Sequence, residues 1–339
     1  MEASTWIGRP AADVALSLCW VPLALAGHLS EGNPRALSLL VACVMFLSFA
    51  HQPLTLPFVY ASPWRLSSHR RLFLLSPLFF IVVVSVFATV SPLVIAVVGG
   101  LWNAEHTLMQ RYGIMRIYGR RLGDDQAKTE KMMVFIWFML PLLFLVARND
   151  VTSTINKFGV VTVAGSAVKV LAGMSMEART ALPFVAVAAC YLAIRWLAGE
   201  VRSGRHNPGK WLYVASTAGL FAVAMIDPIA GLVGFVGSHS IEYLVIVNRS
   251  IAGEARHPGR LGDVARLPGG RTWFFVVYFA VIGITFALLY YVVPAFFFLM
   301  VALSVGALHF FYDSFIWKLR KPEVSASLTG APSPRVAAA

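Results

Sequence analysis

Four histidines, His51, His106, His239 and His309, lie inside long apolar runs of this chain. Each is followed by a basic residue at a similar interval: Arg65 fourteen residues after His51, Arg116 ten after His106 with Arg111 nearer, Arg249 ten after His239, and Lys318 nine after His309. In a helix nine residues rise about 14 Å, which puts an imidazole near the middle of a bilayer when the basic residue marks its boundary. Ionisable groups at that depth are costly and point to function. A single membrane histidine usually serves as an interhelical hydrogen-bonder. Four at one depth suggest a shared function, with separate structural roles as the plainer alternative.

The neighbours fit metal chemistry. Asn103 and Gln110 bracket His106 at helical spacings. His239 has Glu242 at i+3 and Tyr243 at i+4, and His309 has Asp313 at i+4. Residues three or four apart share a helix face. Imidazole nitrogen is a good transition-metal donor, and carboxylates complete the ligand shell or orient the rings. The expected ligands are His51, His106, His239 and His309, holding non-haem iron, with copper, manganese and zinc as alternatives. Glu242, Asp313, Tyr112 and Tyr243 are the expected catalytic groups, orienting ligands or moving protons. The plainer reading of the acids is charge pairing, with Glu242 neutralising Arg195 or Arg111. His28, His69, His206 and His257 fall in loops or at span boundaries and read as surface residues. Asp227, before Pro228, reads as a helix-end residue.

These residues need a membrane scaffold to hold them. Of the 339 residues 58% are hydrophobic and 13% charged, and the mean hydropathy is +0.72. This is the composition of an all-α polytopic integral membrane bundle. About ten spans are predicted: 12–27, 36–58, 71–90, 92–117, 131–148, 181–199, 211–227, 229–250, 272–290 and 294–317. The tight connections at Ser91-Pro92, Asp227-Pro228 and Val293-Pro294 make three antiparallel hairpins. The weakly apolar stretch 159–176 reads as an interfacial or re-entrant element. Most of the 28 lysines and arginines then follow even-numbered spans, while Arg35, Arg148, Lys157, Lys169 and Arg179 fall on the other side. The positive-inside rule places both termini in the cytoplasm and the protein in the cell (inner or plasma) membrane.

The formal charge of +12 sits in short loops between spans, so it marks topology and no nucleic-acid partner is expected. Expected partners are membrane lipids and a hydrophobic small molecule. The three cysteines have no metal or disulfide spacing. Glu2 and Asp13 stand where a signal peptide would be basic, so none is expected. Residues 1–321 read as one transmembrane domain, and the Pro-, Ser- and Ala-rich stretch 322–339 as a disordered tail.

The phrases Trp102-x3-His106-x3-Gln110-x-Tyr112-Gly113, His239-x2-Glu242-Tyr243 and His309-x3-Asp313-x3-Trp317-Lys318 resemble those of a bacterial multi-pass membrane family. One histidine motif on each of four spans is also similar, more remotely, to the Brp/Blh-type membrane β-carotene 15,15'-dioxygenases. That resemblance implies iron on four membrane histidines and oxidative cleavage of a carotenoid. By order, the ligands would be His51, His106, His239 and His309. The chain departs from that family in having Thr55 where its first motif has a nearby Asp, and Glu242 or Tyr243 where its third has a second histidine. The leading expectation is a membrane-embedded non-haem metal oxygenase acting on a carotenoid, isoprenoid or fatty chain. The alternative is a proton-coupled transporter or permease, since histidines and carboxylates within spans also build proton relays. A bis-histidine haem protein is a third reading, and it needs facing pairs.

Overall fold

Stretches that are apolar for about twenty residues can satisfy their backbone groups in lipid only as helices. The computed structural model describes residues 6–157, 169–257 and 259–318, with Val324 and Leu328, and no strand occurs among them. Among the described residues, nine helical stretches are long and apolar enough to cross a membrane: Pro10–Ser30, Pro34–Tyr60, Arg70–Val90, Ala127–Ala147, Ser175–Ser203, Pro208–Ile226, Pro228–Glu254, Gly270–Val292 and Phe296–Ile316. The protein is a multi-pass membrane protein by this measure. The expected span 92–117 forms a helix, Pro92–Arg121, of 30 residues. It is long enough, but Asn103, Glu105, His106, Gln110, Arg111 and Arg116 make it much less apolar than the other nine.

The helices in chain order are α1 (Pro10–Leu18), α2 (Trp20–Ser30), α3 (Pro34–His51), α4 (Thr55–Tyr60), α5 (Pro63–Ser68), α6 (Arg70–Val90), α7 (Pro92–Arg121), α8 (Ala127–Ala147), α9 (Val151–Lys157), α10 (Ser175–Ser203), α11 (Pro208–Ile226), α12 (Pro228–Glu254), α13 (Arg260–Arg266), α14 (Gly270–Val292) and α15 (Ala295–Ile316). Most of the expected 159–176 element falls outside the described residues, and Ser175 and Met176 open α10. The expected tail also falls largely outside them. Of that stretch Val324 and Leu328 are described and buried, and Nε of Arg249 donates to the Leu328 carbonyl at 2.9 Å.

The expected transmembrane region divides into two compact units. The first comprises Met1–Met45 and Ala104–Glu242, the second Phe46–Asn103 and Tyr243–Ala339. The chain passes from one to the other within α3, α7 and α12.

In the first unit α8 packs on α10, and α11 on α8, α1 and α2. Polar contacts are built into this packing. Trp20 Nε1 donates to Ser216 Oγ at 2.7 Å, and Ser216 donates to the Ser17 carbonyl. Asp227 takes the helix-end role expected of it: its Oδ1 accepts the Ala230 amide at 2.9 Å, and its Oδ2 lies 2.8 Å from His28 Nδ1. Burial alone would raise the Asp227 carboxyl, but the Ala230 amide and His28 hold it below the usual carboxylate range.

In the second unit α15 packs on α6, α4 and α14. Its core joins Phe58, Phe73, Phe80, Leu308, Tyr312 and Ile316. Prolines set the local breaks. Pro77 lies inside α6 and cannot donate to the carbonyl four residues before it, that of Phe73. Two tyrosines replace the missing donor: Tyr60 at 2.6 Å and Tyr312 at 2.7 Å both donate to the Phe73 carbonyl. Pro53 ends α3 in the same way, and a 3-10 turn, Gln52–Leu54, connects it to α4. The Ala50 carbonyl beside this break accepts the Tyr278 hydroxyl.

Candidate metal centre

The break at Pro53 places His51 at the last residue of α3 and Thr55 at the first of α4. On α15, Gly306 admits the Gln52 amide, since a Cβ there would meet Gln52 Oε1 at 3.2 Å. The next turn of α15 carries His309, and the one after it Asp313. In the second unit these elements bring His51 and His309 together. Their ring centroids are 4.9 Å apart at 82°, and they offer ring nitrogens within 4.8 Å of each other. Both are 1% exposed. Tyr243, from α12, packs on both rings at 5.3 and 4.9 Å. Thr55 Oγ1 lies 2.6 Å from His309 Nδ1 and 2.9 Å from the Tyr243 hydroxyl. Asp313 Oδ1 accepts from Tyr243 at 3.1 Å and from Thr55 at 3.4 Å.

The first unit builds a second pair. His106 on α7 and His239 on α12 are buried, with ring centroids 5.3 Å apart at 87°. Their ring nitrogens also come within 4.8 Å. Gln110, one turn after His106, donates through Nε2 to the His239 carbonyl at 2.8 Å and to Glu242 Oε2 at 3.3 Å. Arg111 lies 3.4 Å from Glu242 Oε1 and donates to Ser238 at 2.7 Å and Thr217 at 3.4 Å. Of the two cations weighed for Glu242, Arg111 is the partner, and Arg195 is exposed.

Most of the predicted site residues therefore fall into two groups. His106, His239 and Glu242 are brought together in the first unit; His51, His309, Asp313 and Tyr243 in the second. Tyr112 is half-buried and joins neither group. Glu105 is exposed. His28 and His206 are exposed and His69 and His257 half-buried, as expected of surface residues. Sequence reasoning passed over Thr55 as a site residue, although it lies one turn from His51, where a side chain shares its face. It also left Gln110 without an assigned role, and gave Arg111 only as one of two candidate partners of Glu242. In both pairs the rings meet edge to face.

The first unit also holds a charged cluster beyond the apolar part of its helices. Lys210 Nζ contacts Glu130 at 2.5 Å, Glu200 at 2.6 Å and Asp124. Arg116 adds contacts to Glu130 at 2.7 Å and Asp124 at 3.2 Å. The three carboxylates lie close enough to hold an ion, but Lys210 already contacts all three and Arg116 two of them. Burial would raise the Asp124 carboxyl, yet Lys210, the Gln126 amide and Arg116 together hold it below the usual range. A small cavity beside this cluster is lined by Gln126, Arg205 and Asn207.

Comparison with family models, curated proteins and solved structures finds no match to this chain.

Proposed function

We propose that the protein is a membrane-embedded oxidoreductase whose non-haem metal ion, in the first instance iron, is held by His51, His106, His239 and His309. The observation that carries the reading is the paired burial of these side chains. Each unit closes two imidazoles to within 4.8 Å of one another, in a chain whose four histidines stand at similar intervals from basic boundaries.

The surrounding residues fit such an ion. Glu242 faces Arg111 and Gln110, and Asp313 accepts two hydroxyls, so the carboxylates orient the site while nitrogen supplies the donors. Buried nitrogen donors suit iron, copper, manganese or zinc. A redox-active ion would supply the oxidising chemistry. The chain's own residues do the rest. Gln110 ties the His239 backbone to Glu242. Thr55, Tyr243 and Asp313 fix the His309 ring. The apolar helices hold a carotenoid, isoprenoid or fatty chain laterally, out of water. With the basic loops inside, both termini are cytoplasmic and the membrane is the cell's own.

The test is the metal content and visible spectrum of detergent-purified protein, wild type beside His106→Ala and His309→Ala. About one ion per chain, lost in both variants, is the expected result. Two ions, each lost with its own pair, would split the centre in two. Folded, metal-free wild type would remove the metal reading, and a Soret band would replace it with haem.

A proton-coupled permease is the second reading. The buried Arg111–Glu242 pair favours it, because ionisable pairs within spans also serve proton paths. Proton uptake into proteoliposomes that is abolished in Glu242→Gln would bring it forward.

A further inference from the structure

Thr55 stands at a junction of four groups in the second unit, and the protons there can be counted. The Tyr243 hydroxyl donates to Oδ1 of Asp313 at 3.1 Å. With Asp313 ionised, or with its proton on Oδ2, that oxygen is an acceptor. The single hydroxyl proton of Tyr243 is thereby used. Thr55 Oγ1 lies 2.9 Å from the Tyr243 oxygen and 3.4 Å from Asp313 Oδ1, and both of these are now acceptors. The one proton of Thr55 therefore points toward them. Its oxygen is left to accept, and the group 2.6 Å away is Nδ1 of His309. A ring nitrogen that donates must carry the proton.

We infer that Thr55 is the positioning residue that selects the tautomer of His309, protonating Nδ1 and leaving the lone pair on Nε2. The chain of donors runs from His309 through Thr55 and Tyr243 to Asp313. It orients the ring and its lone pair together. Each link is buried, and Thr55 and Tyr243 are 0% and 2% exposed. In such surroundings a hydrogen bond is stronger than in water and water competes little for it. The position that departs from the pattern of the family this chain resembles thus has a role of its own. Its hydroxyl acts on Nδ1 of the imidazole, while the carboxylate acts through that hydroxyl and also faces Nε2 directly, with Oδ2 3.8 Å away. The inference rests on the metal reading only for its consequence, that Nε2 is the donor atom of His309. Partners that orient a ligating histidine are worth about 10- to 100-fold in metal affinity.

The test uses full-length protein with 15N-labelled histidine in detergent micelles. Ring nitrogen–proton correlation spectra distinguish the tautomers, and His309→Gln assigns the signals. The expected wild-type signal of His309 is the Nδ1–H form. Thr55→Ser should keep it, and Thr55→Val should convert it partly or wholly to Nε2–H. Tyr243→Phe should leave it in place, because Asp313 still accepts from Thr55. A proton on Nε2 in wild type overturns the inference, as does an unchanged spectrum in Thr55→Val. Should the valine variant fail to fold, Thr55→Ala makes the same comparison. Cobalt(II) titration then reads the consequence: about 10- to 100-fold weaker binding in Thr55→Val, restored in Thr55→Ser. Wild type that binds no metal but shows Nδ1–H at His309 would remove the metal reading and leave the role of Thr55 standing.

Discussion

The two units hold similar pairs of histidines by different means. Behind His106 and His239 stands an ion pair, Arg111 with Glu242, braced by Gln110, Ser238 and Thr217. Behind His51 and His309 stand hydroxyls and one carboxylate: Thr55, Tyr243 and Asp313. The rest of each unit follows the same division. The first continues into the Lys210 cluster, and the second fixes its broken helices with Tyr60, Tyr312 and Tyr278. An ion pair in low dielectric is stable only while both partners remain, because a lone buried charge is far costlier than a lone hydroxyl. The first unit should therefore be brittle to single charge deletions, and the second tolerant of hydroxyl deletions.

The comparison breaks first at Arg111. Arg111→Met leaves Glu242 buried without its cation and should cost about 3–5 kcal/mol in unfolding free energy, measured by denaturation in mixed micelles. The double variant Arg111→Met with Glu242→Leu should recover most of that loss. A double variant as unstable as the single would mean that shape, and not charge, holds this site.

Tyr312→Phe in the second unit should cost less, about 1 kcal/mol. Tyr60 still donates to the Phe73 carbonyl, so that acceptor is not left bare. A loss approaching that of Arg111→Met in the same assay would erase the contrast between the units.

Acidification sharpens the comparison. The Asp124 carboxyl is held below its usual range in the folded protein. Its contribution is therefore full above the unfolded-state value, about 4, and is lost as pH falls through the lower folded-state value. Thermal midpoints should drop on acidification from pH 7 toward 3, and the drop should be shallower in Asp124→Asn. Equal slopes in the two proteins would remove Asp124 from the charge network.

The smallest effect is expected at His28, whose side chain is 67% exposed beside Asp227. His28→Ala should change stability by about 0–1 kcal/mol in the same assay, as exposed pairs do. A larger loss would make this surface contact part of the charged framework.

Much of the molecule was legible in its sequence, and the limit lies at a definable place. Apolar runs of about twenty residues declare their helices, because lipid leaves backbone groups no other partners. Composition thus announced the all-helical fold, and spacing singled out the four histidines and the i+4 carboxylate Asp313. The helix-end role of Asp227 was readable from the proline that follows it. The expected span 92–117 is a helix, yet Glu105, His106, Gln110 and Arg111 weaken its hydropathy, and three of these four meet side chains or backbone of α12. Glu242 had two candidate cations in the sequence, and only packing chose Arg111. Lys210 gathers carboxylates from α8, α10 and the segment between α7 and α8, and no local pattern foretells that.

The linear chain thus contains each helix and the residues on its faces, because hydropathy and helical periodicity act over a few turns. It does not contain the rotation of a helix or the identity of its neighbours. Those depend on how side chains from distant segments fill space together. That packing pairs His51 with His309 and His106 with His239, and it makes Thr55 a hydrogen-bonding partner of His309.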